Sequence, residues 1–167
     1  MKYAFEKAGE EWIDPVIELI RKRVEWMDEA GIRQWNTTAY LFVYPRSCFE
    51  AYVRKGWLYV LKDEEGRLAA AAALFEHDAR WPEKKDRAFY VHHLAGDPER
   101  RGAGSVFLKE CEALARRMGK EYIRLDCDTE NAFLNRYYES RGYTEEGRCT
   151  DGAYTGIRRS KKITLDL

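Results

Sequence analysis

The sequence predicts an α/β domain with a mixed sheet, its elements in the order β-α-α-β-β-β-α-β-α-β-β. Three observations carry that prediction. Strand-favouring runs such as Ala88–Leu94 and Tyr122–Asp128 alternate with segments whose apolar residues recur every three or four positions. Tyr143–Thr150 and Tyr154–Thr164 flank Asp151-Gly152, a strong hairpin signal. A length of 167 residues suffices for one well-buried domain and is short for two.

Taken in order, Tyr3–Lys7 reads as a first strand. Asp14 is a good N-cap, and Pro15 is pre-set for the first helical position. The helix that follows buries Val16, Ile17, Ile20, Val24 and Met27 and stops at Gly31. Gly31–Tyr44 has no period; its mix of Trp35, Tyr40 and Tyr44 with Asn36, Thr37 and Thr38 suits either a loop pinned to the core or a substrate contact. A second helix covers roughly Pro45–Lys55. Trp57–Leu61 and Leu68–Phe75 form a hairpin over a charged turn with Gly66, and the alanines at 69–73 go into a strand because of that context. His77–Arg87 is a polar loop. Strand Tyr122–Asp128 and helix Asn131–Arg141 precede the last hairpin, with Gly142 capping the helix.

Composition narrows the function. Lysine plus arginine equals aspartate plus glutamate, 29 each, so the net charge is zero; a nucleic-acid or membrane-surface binder would show a basic excess. No apolar run approaches the roughly 20 residues that span a bilayer, and the N-terminus lacks a signal-like core. Cys48, Cys111, Cys127 and Cys149 form no Cys-x-x-Cys pair and have no histidine at metal-site spacing. The expectation is free thiols, a cytoplasmic location and no metal.

The chemistry sits in Ala88–Phe107. A strand meets Asp97-Pro98, which stops it. Arg100-Arg101 and Gly102-Ala103-Gly104-Ser105 follow, and from Phe107 the pattern is helical. The first turn of a helix offers unpartnered N–H groups and a partial positive charge, glycine allows close approach, and arginine suits phosphate oxygens. This is a place for a phosphate or pyrophosphate. No Gly-Lys-Ser/Thr follows, so it is not a P-loop. The dinucleotide pattern finds Gly102 and Gly104 but Phe107 in place of its third glycine, although Asp126 falls about 20 residues on.

Arg101-Gly102-Ala103-Gly104-Ser105-Val106 resembles the Arg/Gln-x-x-Gly-x-Gly/Ala acetyl-CoA loop of the GCN5-related N-acetyltransferase (GNAT) superfamily. Val106 stands where Gly or Ala is usual, and its branched side chain crowds the diphosphate. Asn131 through Tyr143, with Tyr138-Glu139 ahead of Gly142-Tyr143, is similar to the family's Asn-…-Tyr-Glu-x-x-Gly-Phe/Tyr segment. The resemblance covers residues 57–158 well and the first third loosely. It implies that residues 1–167 form a single acetyl-CoA-binding N-acetyltransferase domain, with a mostly antiparallel sheet of about six to seven strands and about four helices. It further implies that Leu94 and Gly96 bond the pantetheine arm through their backbone, Gly96 loosening that edge. Arg101, Gly102, Ala103, Gly104, Ser105 and Val106 would cradle the diphosphate. Asn131 would either cap its own helix or bond the cofactor arm.

Acetyl transfer to an amine needs a base for the amine and an acid for the departing thiolate. Tyr138 is the candidate acid, since a phenol is protonated at neutral pH; the adjacent Tyr137 is its confounder. His92 is the favoured base, with His93 and Glu76 as rivals. Cys127 leaves a covalent route formally open. The acceptor would be a small-molecule amine or a peptide, set among Gly31–Tyr44, the end of the His92 strand and the last hairpin, with Trp35, Tyr40, Tyr44 and Tyr154 as its aromatic supply. Nucleic acid and membrane are not expected partners, and a homodimer is left open. Two other readings stand beside this one: a CoA- or nucleotide-binding sensor without turnover, for which Val106 speaks, and a dinucleotide oxidoreductase, for which Asp126 speaks.

Overall fold

In the computed structural model, which describes residues 2–164, seven strands form one sheet in the order β1-β2-β3-β4-β5-β7-β6. They are β1 (Ala4–Lys7), β2 (Leu58–Lys62), β3 (Leu68–Phe75), β4 (Ala88–Gly96), β5 (Tyr122–Asp128), β6 (Thr144–Asp151) and β7 (Tyr154–Lys162). The helices are α1 (Ile13–Ala30), α2 (Tyr40–Val43), α3 (Arg46–Arg54), α4 (Ala103–Arg117) and α5 (Ala132–Ser140). The sheet is mostly antiparallel; β4 and β5 run parallel, in a register from Ala88↔Tyr122 to Tyr90↔Arg124. No helix among the described residues is long and apolar enough to cross a membrane.

Two compact units divide the chain. The first comprises the residues up to Leu74 together with His92–Glu110. Its core gathers Val16, Leu19 and Ile20 of α1, Phe49 of α3, Leu58 and Val60 of β2, Ala71 of β3 and Ala95 of β4. Fully burying each valine, leucine, isoleucine or phenylalanine among these is worth ~1.5–3 kcal/mol. The alanine run lies in β3 with every residue from Ala69 to Leu74 buried, so tertiary context overrides alanine's helical preference. Asp63 organises the β2–β3 turn, its Oδ1 accepting the N–H groups of Glu65 and Arg67, each at 2.9 Å. Those bonds, led by the one from Arg67, hold its carboxyl well below the usual carboxylate range.

The second unit comprises Phe75–Val91 and the chain from Cys111. Here β5 pairs with β7 along its whole length, Tyr122↔Lys162 to Asp128↔Gly156, and β6 closes on β7 at Asp151↔Tyr154. Arg124 is fully buried beneath Trp81, Tyr90 and Tyr122, with its charge matched by Asp86 at 2.8 Å.

Three expectations need correction. Asp14 and Pro15 do not open α1: a 3₁₀ turn at Glu10–Trp12 leads into Ile13, so the helix starts two residues earlier. Asp14 lies in the first turn, where an acid still suits the dipole. The aperiodic segment before Tyr44 contains a 3₁₀ turn at Trp35–Thr37 and the one-turn α2, too short to show a period. Helix α4 begins at Ala103 rather than Phe107, because Ala103, four residues before Phe107, is already buried on the same face.

Candidate active site

Within the first unit, β4 ends against the start of α4. The Asp97 N–H donates to the Ala69 carbonyl at 2.8 Å, and the turn closes with the Arg100 N–H on Asp97 O at 2.9 Å and the Ala103 N–H on Arg100 O at 3.1 Å. Gly102 takes φ of 87°, a conformation that favours glycine. A Cβ on Gly96 would sit 3.2 Å from the Gly104 nitrogen, so the glycine also allows strand end and helix start to close together. A Cβ on Gly104 would meet nothing within 4 Å, so open space lies over the first turn.

The two arginines diverge. Arg100 pairs with Asp63 and, at 3.4 Å, with Asp97. Its charge is thus absorbed by the scaffold. Arg101 is exposed and has no ion-pair partner among the described residues. In the first turn of α4, the Val106 N–H is already taken by Gly102 O at 3.1 Å. The N–H groups of Gly104 and Ser105 have no backbone acceptor among the described residues, and the buried Ser105 Oγ lacks a partner as well. Unanswered donors, open space and an unpaired guanidinium together fit an anionic group such as a diphosphate.

Upstream along β4, His92, Leu94 and Gly96 are half-buried, while His93 and Ala95 point into the core. His93 is enclosed by aromatic rings: Tyr44 at 4.6 Å, Phe49 at 5.4 Å, and Tyr40 and Tyr52 each at 5.5 Å between centroids. Its Nδ1 is hydrogen-bonded to the Tyr40 hydroxyl and its Nε2 to that of Tyr52 at 3.1 Å. His92 thus occupies the more accessible face of the strand.

The remaining candidates belong to the second unit. Asn131 is buried and caps α5, its Oδ1 accepting the Leu134 N–H at 3.0 Å. Tyr138 is buried, edge-on to Tyr137 and Tyr143. Tyr137 is half-buried beneath the Arg141 guanidinium, so the neighbours face different surroundings. Glu76 is paired with Lys120 at 2.6 Å, and that ammonium holds its carboxyl below the usual range; a weakened base is a poor proton acceptor. Cys127 donates to Asn135 Oδ1 at 3.1 Å, and burial pushes its thiol up to about 12. The thiolate that a covalent route needs is suppressed. Asp126 accepts from the Tyr154 hydroxyl at 2.6 Å and from Arg80 at 3.1 Å, which leaves it ill-suited to hold a ribose. A cleft of about 450 Å³ lies along Glu76, Trp81, Lys85, Asp86 and Tyr90 and includes no residue of the glycine turn. Among the described residues no group of three His, Cys, Asp or Glu side chains could hold a metal ion.

Sequence reasoning missed the tyrosines on His93 and the Arg80–Asp126–Tyr154 cluster. Both join residues at least 28 positions apart, and no periodic signal marks them.

Comparison with known proteins agrees with the geometry. The profile of the acetyltransferase (GNAT) family matches residues 19–143. An uncharacterized N-acetyltransferase, YesJ of Bacillus subtilis, is 25% identical over 147 residues, covering 83% of this chain and 80% of that protein. A GNAT-family acetyltransferase structure from Streptococcus agalactiae superposes with a TM-score of 0.81 at 19% identity, over 98% of this chain and 96% of that one. The PaiA N-acetyltransferase of Thermoplasma acidophilum, solved in complex with coenzyme A, gives 0.75 at 19% identity, over 97% and 99%.

Proposed function

The chain belongs to the acetyltransferase (GNAT) family, and from that premise we propose that it moves an acetyl group from acetyl-CoA to a primary amine of a small molecule or peptide. The observation that carries the reading is the uncapped start of α4, with Arg101 unpaired beside the unanswered Gly104 and Ser105 N–H groups. The coenzyme A in the Thermoplasma relative supports acetyl-CoA as the donor. Leu94 and Gly96 bond the pantetheine amides through their backbone, as an added strand does. Arg101, Gly102, Ala103, Gly104 and Ser105 hold the diphosphate, and Val106 borders it without a free N–H. Asn131, which caps α5 through Oδ1, is the further residue assigned to the cofactor arm.

In the reaction, His92 takes a proton from the acceptor ammonium and the neutral amine attacks the thioester carbonyl. Collapse of the intermediate expels the thiolate, which Tyr138 protonates. No acyl-enzyme is needed, in keeping with the inert Cys127. The whole chain acts as one domain in this reading. The four described cysteines are free thiols, which supports a cytoplasmic setting.

The test compares the native chain with Tyr138→Phe. Acetyl-CoA at about a hundred times its Kd should stabilise both by ~2.7 kcal/mol in a thermal melt, with NAD and NADP giving no shift. Turnover of an amine should fall by at least ~10-fold in the variant. A stabilisation by NAD alone would overturn the donor assignment; unchanged turnover would make Tyr138 structural. A sensor would bind acetyl-CoA and turn over no amine.

A further inference from the structure

Two adjacent arginines lead into the glycine turn, and something must decide which of them meets the ligand. Arg100 and Arg101 are alike in charge and reach, yet only Arg101 is exposed. The Arg100 guanidinium is bonded to Asp63 Oδ2 and lies 3.4 Å from Asp97 Oδ2. Its side chain is 16% exposed and that of Asp63 is 3% exposed. An ion pair this far from water is a strong tie, because removing either partner leaves the other charge buried and unmatched.

Asp63 is itself held fast. Its Oδ1 accepts the N–H groups of Glu65 and Arg67, its own N–H donates to the Arg67 carbonyl, each at 2.9 Å, and Arg67 Nε reaches Oδ2 at 3.1 Å. The carboxylate is therefore a fixed point on the β2–β3 turn. A second tie comes from α1, where Lys22 bonds Asp97 at 3.0 Å and Glu99 at 2.7 Å. Lys22 and Glu99 are largely in solvent, so that tie is screened and weak. Arg100 directly precedes Arg101, and its carbonyl accepts the Ala103 N–H at 3.1 Å. Fixing Arg100 thus fixes the backbone from which Arg101 and the first turn of α4 depart.

We propose that Asp63 is a positioning residue for the acetyl-CoA diphosphate: by anchoring Arg100 it sets the turn so that Arg101 and the Gly104 and Ser105 N–H groups meet the ligand together. This rests on the acetyl-CoA reading of the glycine turn and adds to it a residue from a separate hairpin. Arg100 is then an anchor, and Arg101 the contact. The sign of one substitution separates positioning from charge. Removing an acid from beside an anion seat should tighten binding by electrostatics alone. Removing a positioning residue weakens it.

The experiment measures acetyl-CoA binding to the intact chain by calorimetry, for the native protein, Asp63→Asn, Arg100→Gln and the double variant. Asparagine keeps an oxygen for the Glu65 and Arg67 N–H groups and loses the charge that holds Arg100. Arg100→Gln leaves every bond within the β2–β3 turn intact, so it guards against a folding artefact in the other. Each single variant should weaken acetyl-CoA by ~10-fold at unchanged stoichiometry. The double variant should bind no more weakly than the weaker single, because the two residues act as one tie. The native-to-variant ratio should hold in ~1 M salt, where exposed charges are screened beyond ~3 Å.

A second arm uses no ligand. Hydrogen exchange at Ala103 and Val106, whose N–H groups bond Arg100 O and Gly102 O, should quicken in both single variants, while that of Ile20 in the core of α1 does not. Unchanged exchange at the turn would overturn the proposal. So would tighter or unchanged binding by Asp63→Asn, the former by making Arg100 a contact held in reserve. Losses that multiply to ~100-fold in the double variant would overturn it as well. A drop in binding-competent protein at an unchanged Kd would do the same, since it marks a merely structural role. A native chain that binds no acetyl-CoA defeats the reading of the site and the proposal with it; variants that bind as well as a native chain that does bind defeat the proposal alone.

Discussion

Helices α4 and α5 both follow a strand, and their first turns are built to opposite ends. At α5, Asn131 closes the turn: its Oδ1 takes the Leu134 N–H at 3.0 Å, and its carbonyl takes both the backbone N–H of Asn135 at 3.1 Å and that residue's side-chain amide at 2.9 Å. At α4 the glycine turn leaves the Gly104 and Ser105 N–H groups without a backbone acceptor among the described residues. A Cβ on Gly104 would enter open space. A closed turn answers its own backbone donors and contributes stability; an uncapped one forgoes that contribution and keeps its donors for a ligand. The same division separates the adjacent arginines, Arg100 committed to Asp63 and Asp97 and Arg101 to no ion pair among the described residues.

If α4 is the anion seat, its residues should lose binding without losing the fold. The largest effect is expected from Arg101→Glu. Losing a charge-assisted bond of ~1.5–3 kcal/mol weakens acetyl-CoA by at least ~10-fold, and charge reversal adds repulsion. Calorimetry should record that loss while the melting temperature without ligand stays put; unchanged affinity would refute the loop assignment. Gly104→Ala sharpens the contrast further. Alanine is a better helix former by up to ~1 kcal/mol and its Cβ clashes with nothing, so the free protein should melt no lower. The added methyl fills the space over the first turn, so acetyl-CoA should bind more weakly. A variant both stable and tight-binding would mean that the open space is not where the ligand sits.

Much of this architecture was legible in the residues. The bounds of β3 and β5 match the apolar runs, and Gly31 ends α1 in the left-handed conformation expected of it. Local chemistry sets these features, and local chemistry is what a sequence displays. Arg101 and the glycine turn were legible for the same reason. What stayed hidden depends on partners far along the chain. Nothing near Arg100 announces that Asp63, 37 positions away, takes its charge. The left-handed kink at His93 is invisible because histidine in a strand keeps the apolar-polar alternation whatever its φ. Nor could spacing tell that both of its nitrogens are bonded to tyrosines from α2 and α3.

The smallest expected effect falls on α5, where one residue is asked to serve two ends. Asn131→Ala removes the cap, which costs ~1 kcal/mol and should lower the melting temperature by ~2–4 °C in a chain of this size. Asn131→Asp separates the roles. A carboxylate caps as well as the amide and suits the positive end of the helix dipole, so the melting temperature should return to that of the native chain. It cannot replace the amide N–H, and it sets a negative charge where an electron-rich cofactor arm is proposed to lie. Acetyl-CoA affinity should then fall by ~10-fold although stability is restored. If Asn131→Asp melts and binds like the native chain, Asn131 is a cap and nothing more, and Tyr138 alone carries the part proposed for α5.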